Sequence, residues 1–322
     1  MNGGPRQTGS APLISVVICT HERSDDLGRC LAAAAPQARA LGWDLLVVDS
    51  ASSAPHAQAL VHHAAAHGAA YERLDTPGLS RARNRGAALA RGRWIAYLDD
   101  DAIPHAGWAE QLDRLLRLQP DSVALLGGRI DPLWPDGVKR EDHHVTPRWL
   151  LLLSCVDRAG QGRVVDGWNI CGANFAVRKN ALDAIGGFPE GLGRIGTRLI
   201  SGEESYVVQR LHRDGLDARY DGSFGVHHRI EPERLGRDWL RRRAFWEGVT
   251  RVALHRALGE PLPASLGLTK LLASIPTLWI LARLRAANPD WTIRLELARG
   301  SAWTLRQHGA SAAGPLQQRV PS

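Results

Sequence analysis

The segment RGRWIAYLDDDAIP, residues 91–104, decides how this chain is read. The apolar run from Trp94 to Leu98 has the composition of a strand covered on both faces, and it stops at three consecutive aspartates, Asp99, Asp100 and Asp101. Neighbouring carboxylates repel: at about 4 Å and an effective dielectric near 20, each like-charged contact costs about 4 kcal/mol. A divalent cation removes that cost, and hard oxygen ligands suit Mg2+ or Mn2+. The competing reading is a solvated acidic turn, or the N-cap of a helix beginning in AIPHAGWAEQL.

Working outward, LISVVIC (13–19) and WDLLVVD (43–49) have the same strand composition, and Ala-rich stretches around 25–41, 55–67 and 80–91 have helical character. Strand and helix in alternation argue for a parallel α/β sheet with right-handed crossovers. In such sheets a ligand sits beyond the carboxyl ends of the strands. That rule gathers Thr20 to Arg23, Asp49 and Ser50, and the three aspartates into one place. A dinucleotide-binding fold would need a Gly-rich turn after the first strand to hold pyrophosphate on a helix N-terminus. The sequence there is CTHERSDD, without glycine, so a metal must hold any diphosphate.

The chain has 322 residues, 44% of them hydrophobic, enough for one large domain or two modest ones. Its formal charge of +7 comes from arginine, since lysine occurs only at Lys139, Lys179 and Lys270. Arginine suits phosphate, anionic membrane surfaces or nucleic acid, although a GC-rich coding sequence produces the same bias. Cys19, Cys30, Cys155 and Cys171 show no metal-finger spacing and read as reduced, buried thiols of a cytoplasmic protein. The lead MNGGPRQTGSAP has no apolar region of a secretory signal. The apolar segment at 271–284 contains Pro276 and is too short to span a bilayer, though it is long enough to lie on one.

Five motifs follow in order: SVVICTHER, LLVVDS, PGLSRARNRGAALARGRWIAYLDDDAIP, CGANFAVRKNALDAIGGFPEGLG and GEESYVVQRLHRDG. With them the first 230 or so residues resemble glycosyltransferase family 2, inverting enzymes of the GT-A fold that use nucleotide-diphosphate sugars. The resemblance implies an α/β fold with a mostly parallel sheet flanked by helices, and a C-terminal helical extension. The expected division is a lead at 1–11, a GT-A domain at 12–230 with a nucleotide half (12–119) and an acceptor half (120–230), helices at 231–309, and a flexible tail at 310–322.

Carried over by residue, the resemblance implies that Thr20, Glu22 and Arg23 line the nucleotide pocket and that Asp49 bonds the base. It sets Arg81, Arg83 and Asn84 near the ribose and diphosphate, with a surface helix charge as the alternative for Arg83. Asp99 to Asp101 become the D-x-D-type motif. Asp101 and Asp99 are its metal ligands, with Asp100 toward the ribose, and the cofactor is Mn2+ or Mg2+. His228, rather than His227, is the further metal or diphosphate ligand.

An inverting transfer needs a carboxylate to take the acceptor's proton. The family's acidic pair falls on Glu203 and Glu204, with Glu204 the favoured base and Glu203 the alternative. Ser201-x-x-Glu204 also has the form of a capping box, a purely structural role. Trp168 and Asn169 are candidate acceptor contacts, because indole stacks on sugar C–H faces and amides bond hydroxyls. Trp239, Trp246, Trp279, Trp291 and Trp303 among arginines suit either an anionic bilayer surface or an ordinary helical layer.

The reading is therefore a cytoplasmic or peripheral enzyme taking a nucleotide-sugar donor and a glycan, lipid-linked or small-molecule acceptor. No nucleic-acid partner is expected, and oligomeric state is open. Two alternatives stand: a nucleotidyltransferase that makes a nucleotide sugar, although its Gly-rich Arg-Lys signature is missing, and a non-catalytic Arg-rich protein binding nucleic acid or membrane.

Overall fold

Strand β1 (Ile14–Thr20) is buried at every position, which is why ISVVICT shows no polar alternation. It lies parallel to β2 (Asp44–Ser50) on one side, with β3 (Ala70–Leu74) parallel beyond that, and to β4 (Trp94–Asp99) on the other. Helices α1 (Ser24–Ala40), α2 (Ala54–Ala66) and α3 (Leu79–Leu89) form the connections, as the alternating pattern predicts. A Cβ built on Gly86 of α3 would stand 2.4 Å from the Val17 side chain, so the absence of one lets this helix lie close against β1.

The structure is a computed structural model describing residues 12–139, 143, 145–156, 161–164, 167, 170–196, 198–262 and 288–308. After β4 the chain makes β5 (Ala102–Pro104), α4 (Trp108–Leu118), β6 (Val123–Leu133), α5 (Pro147–Leu152), β7 (Gln161–Arg163) and β8 (Phe175–Arg178). It continues with α6 (Lys179–Ala184), α7 (Glu203–Arg213), β9 (Asp217–Arg229), α8 (Arg237–Ala257) and α9 (Pro289–His308). The sheet order is β3-β2-β1-β4-β8-β6-β9-β5, with β7 also on β9. The parallel arrangement covers β3 to β4; beyond it β8 is antiparallel to both β4 and β6, while β6 and β9 run parallel.

Helices α8 and α9 cross at glycines: a Cβ on Gly300 would be 1.8 Å from the Phe245 carbonyl oxygen, and one on Gly248 2.0 Å from that of Leu297. This close crossing brings Ile293 against Trp149, Leu152, Leu235 and Leu240 in an apolar cluster beside the main core. None of the described helices is long and apolar enough to cross a membrane. Trp279, the 271–284 segment, and the lead and tail fall outside the described residues.

Candidate active site

The carboxyl ends of β1 and β4, the start of α7, the end of β9 and the inner faces of α8 and α9 surround one cavity of about 490 Å3. Its lining includes Thr20, Arg23, Arg83, Asp99, Asp100, Asp101, Glu203, Glu204 and His228. Residues far apart in sequence meet there, as Arg23 and Glu231, 208 positions apart, do.

Asp101 is buried, with His228 Nε2 at 3.1 Å from Oδ1 and Arg23 Nη1 donating to Oδ2 at 2.6 Å. Arg234 Nη2 adds a second guanidinium at 3.7 Å. Burial works against the Asp101 charge, yet His228, Arg23 and Arg234 hold its carboxyl well below the usual range. Asp100 goes the other way: burial and then the Asp101 charge push it up to about 8. Three neighbouring acids thus divide their roles, with the fixed negative charge on Asp101.

Asp99, Asp101 and His228 can each offer a ligand atom, all within 4.8 Å of one another. The buried Nδ1 of His228 has no hydrogen-bond partner. Two carboxylates and an imidazole fit a divalent cation of the Mn2+ or Mg2+ type, with the oxygen donors favouring the harder ions.

Arg83 connects this cluster to the acidic pair. Its guanidinium, 2% exposed, donates from Nη1 to Glu203 Oε1 at 2.8 Å and Glu204 Oε1 at 3.0 Å, and from Nη2 to Asp99 Oδ1 at 3.3 Å. The guanidinium also lies over the rings of Phe175 and Phe188, at 5.8 and 5.6 Å from their centroids. Tyr97 fixes the helix behind it by donating its hydroxyl to the Arg83 carbonyl. Arg83 is therefore a buried three-way bridge on the cavity lining, which removes the alternative of a surface helix charge.

The bridge depends on a missing side chain. A Cβ on Gly172 would stand 1.9 Å from Arg83 Nη2 and 2.8 Å from Glu204 Oε1.

Glu203 and Glu204 open α7 after Gly202, which caps the helix in a left-handed conformation with φ 95°. Ser201 is not the cap: its N–H donates to Thr250 Oγ1, and its hydroxyl accepts from Arg243. The capping-box role for Glu204 is thereby removed. Burial, then the adjacent Glu203, pushes Glu204 up to about 7 against the pull of Arg83. Glu203 keeps one buried oxygen, Oε2, without a hydrogen-bond partner.

Other expected residues stand apart from the cavity lining. Asp49 is fully buried, one oxygen accepting from the Ser52 N–H at 2.9 Å and the other from the Tyr71 hydroxyl at 2.8 Å. Glu22 bonds Ser53, and Arg81 pairs with Glu190 at 2.6 Å. Asn84 brackets the Phe188 backbone, giving one hydrogen bond and accepting another, each 2.8 Å. Trp168 and Asn169 fall outside the described residues.

Residues the sequence reading did not single out complete the cavity. Glu231 accepts from Arg23 at 2.9 Å and from Arg234 at 3.0 Å, a clamp at the end of β9. Half-buried Arg194 lines the same space. Burial, then the nearby Arg234 and Arg243, pushes it down to about 10. Closeness to His228 within HRIEPERL (228–235) is a signal that could have found Glu231 and Arg234; nothing local marked Arg194.

A half-parallel sheet ending in an acid triplet, faced across one cavity by a helix-borne acid pair, has the GT-A architecture of glycosyltransferases. The chain belongs to glycosyl transferase family 2, whose sequence profile matches residues 15–186. It is 29% identical over 175 residues to the glucosyl-dolichyl phosphate glucuronosyltransferase of Haloferax volcanii, covering 54% of this chain and 55% of that protein. The chain thus spans little more than half the length of this relative. Succinoglycan biosynthesis protein ExoM of Rhizobium meliloti is 26% identical over 247 residues, covering 74% of this chain and 73% of that one. Among solved structures, the mannosyltransferase PcManGT from Pyrobaculum calidifontis, in complex with GDP-Man and Mn2+, superposes with a TM-score of 0.59. That match covers 92% of this chain and 88% of the other at 18% identity, a likeness of fold.

Proposed function

We propose that this enzyme transfers a sugar, with inversion, from a nucleotide-diphosphate sugar to a hydroxyl of a glycan, lipid-linked or small-molecule acceptor. The observation that carries the reading is the Arg83 bridge, which ties Asp99 of the acid triplet to Glu204 of the acid pair inside one cavity. Donor-holding and proton-accepting groups are thereby fixed at a set separation.

In this reading Glu204 Oε accepts the acceptor's proton as its oxygen attacks the anomeric carbon. The bond to the diphosphate oxygen breaks on the opposite face, and the electron pair leaves with the nucleoside diphosphate. A carboxylate with a pKa near the working pH is suited to this task, and the value of about 7 at Glu204 supports the assignment. Arg23 and Arg194 lie beside the acids, where guanidinium groups can bind diphosphate oxygens. Asp99, Asp101 and His228 would hold Mn2+ or Mg2+, which when bound offsets charge building on the leaving diphosphate.

The acceptor side combines Arg148, Arg243 and Arg251 with Leu151, Leu152 and Trp239. Such a wall suits an acceptor bearing an anionic group and an apolar portion. The glucosyl-dolichyl phosphate in the name of the Haloferax relative is of that chemistry. Trp168 and Asn169 stand as the acceptor contacts proposed from the sequence.

The test is release of nucleoside diphosphate from UDP-, GDP- and dTDP-sugars, with Mn2+ or Mg2+ and again with chelator, using wild type and Glu204→Gln. One donor should be consumed in a metal-dependent manner by wild type alone. Equal consumption by Glu204→Gln, or no sensitivity to chelator, rejects the corresponding assignment.

A further inference from the structure

A second cluster lies outside the cavity. His105 follows β5, Asp131 is on β6 and His227 is on β9; each offers a ligand atom, all within 4.8 Å of one another. Strand register assembles them: Ile103 stands opposite His227 on one side of β9, and Asp131 stands opposite His227 on the other. Successive strand residues face opposite ways. His228 points into the catalytic cavity and is buried, so its exposed neighbour His227 belongs to the other face.

The placement of His105 is specific. Its N–H donates to the Gly225 carbonyl at 3.0 Å. Its ring occupies the space a side chain at Gly225 would need, since a Cβ there would be 2.8 Å from both Cε1 and Nδ1. Nε2 is buried, has no hydrogen-bond partner, and stands 3.4 Å from Asp131 Oδ2. The His105 and His227 rings are 4.3 Å apart between centroids.

We infer that His105, Asp131 and His227 form a binding site for a borderline transition-metal ion, of which Zn2+ is the type, separate from the catalytic centre. Two imidazoles and a carboxylate with a fourth position for water match the ligand number and kind that zinc takes in open sites. Imidazole nitrogens also separate this site from the oxygen-rich Asp99–Asp101–His228 set, which suits harder ions. Arg129 is the present occupant, with Nε 3.0 Å from Asp131 Oδ2 and Nη2 3.4 Å from His105 Nδ1. A metal on Nε2 puts the ring proton on Nδ1, so Arg129 must turn outward. Its side chain, 39% exposed, has solvent to turn into. The ion would brace β5, β6 and β9 one residue from His228.

The experiment uses the full chain, stripped with chelator and titrated with Co2+ and then Zn2+ by calorimetry and visible spectroscopy. Wild type is compared with His105→Ala and His227→Ala, both of which keep Asp99, Asp101 and His228. Wild type should take up one more tightly bound cobalt than either variant, with the visible bands of an imidazole-ligated ion that zinc abolishes. Each variant should weaken that uptake by at least the roughly 10- to 100-fold that loss of an outer-shell partner costs. Zinc should raise the melting temperature of wild type but not of the variants, and the variants should retain sugar transfer. Equal stoichiometry and affinity in wild type and both variants overturns the site, as does absence of cobalt uptake beyond the catalytic equivalent.

Discussion

Replacing Arg83 with methionine removes a 2% exposed cation that touches three carboxylates, while the methionine fills much the same length of apolar space between Phe175 and Phe188. Glu203, itself buried, then loses the one ion partner it has among the described residues. Breaking a buried ion pair by deleting one member costs about 3 to 5 kcal/mol. For a chain of this size that corresponds to a fall in melting temperature of roughly 4 to 8 °C. The function should change in a direction the geometry also sets. Arg83 is the cation that lowers Glu204, so without it the carboxyl rises above about 7 and holds its proton at neutral pH. The acid limb of the rate profile should therefore move to higher pH in Arg83→Met, read by nucleotide release across a pH series alongside thermal unfolding. A variant that melts with wild type, or whose acid limb stays in place, would refute the bridge as both a structural and an electrostatic element.

Glu204→Gln should lower turnover by roughly 10^2- to 10^4-fold with donor binding retained, and Glu203→Gln by much less, measured as single-turnover sugar transfer. In wild type, transfer should rise with pH through about 7 as Glu204 ionises. Its stability contribution has the opposite sense: the folded state holds this proton more tightly, so the contribution is complete below 4.5 and is lost as pH rises through about 7. Denaturant melts of wild type against Glu204→Gln between those limits check that slope. Gly172→Ala should displace the Arg83–Glu204 contact and destabilise by about 1 to 3 kcal/mol, read by urea unfolding. Gly300→Val should separate α8 from α9 and disturb acceptor affinity more than donor affinity, compared by KM for each substrate.

The acid triplet and the acid pair were legible because each follows a strong local signal. One ends a buried strand, and the other opens a helix after glycine. Parallel order in β2, β1 and β4 followed from the spacing of apolar runs, whereas β3, the half-exposed AYERL at Ala70–Leu74, carries no such run. The role of Arg83 was partly available: on a helix it shares a face with Leu79, Gly86 and Ala87, a setting for a buried cation rather than a solvated one. Asn84, one position on, turns instead to the Phe188 backbone, which the motif alone does not reveal. Arg194, Glu231 and Arg243 reach the cavity through contacts across the whole chain, so no periodicity marks them. The His105–Asp131–His227 grouping depends on the register of three strands, and a shift of one residue in β9 would have presented His228 there instead.

Calorimetric binding of UDP, GDP and dTDP, each with Mn2+ and with chelator, to wild type and to Asp101→Asn tests the central claim most directly. One diphosphate should bind wild type only with the metal, and the variant, shown folded by circular dichroism, should lose that binding. Equal binding to both proteins, or affinity indifferent to chelator, would contradict the assignment of the aspartate turn as the seat of a metal-held donor.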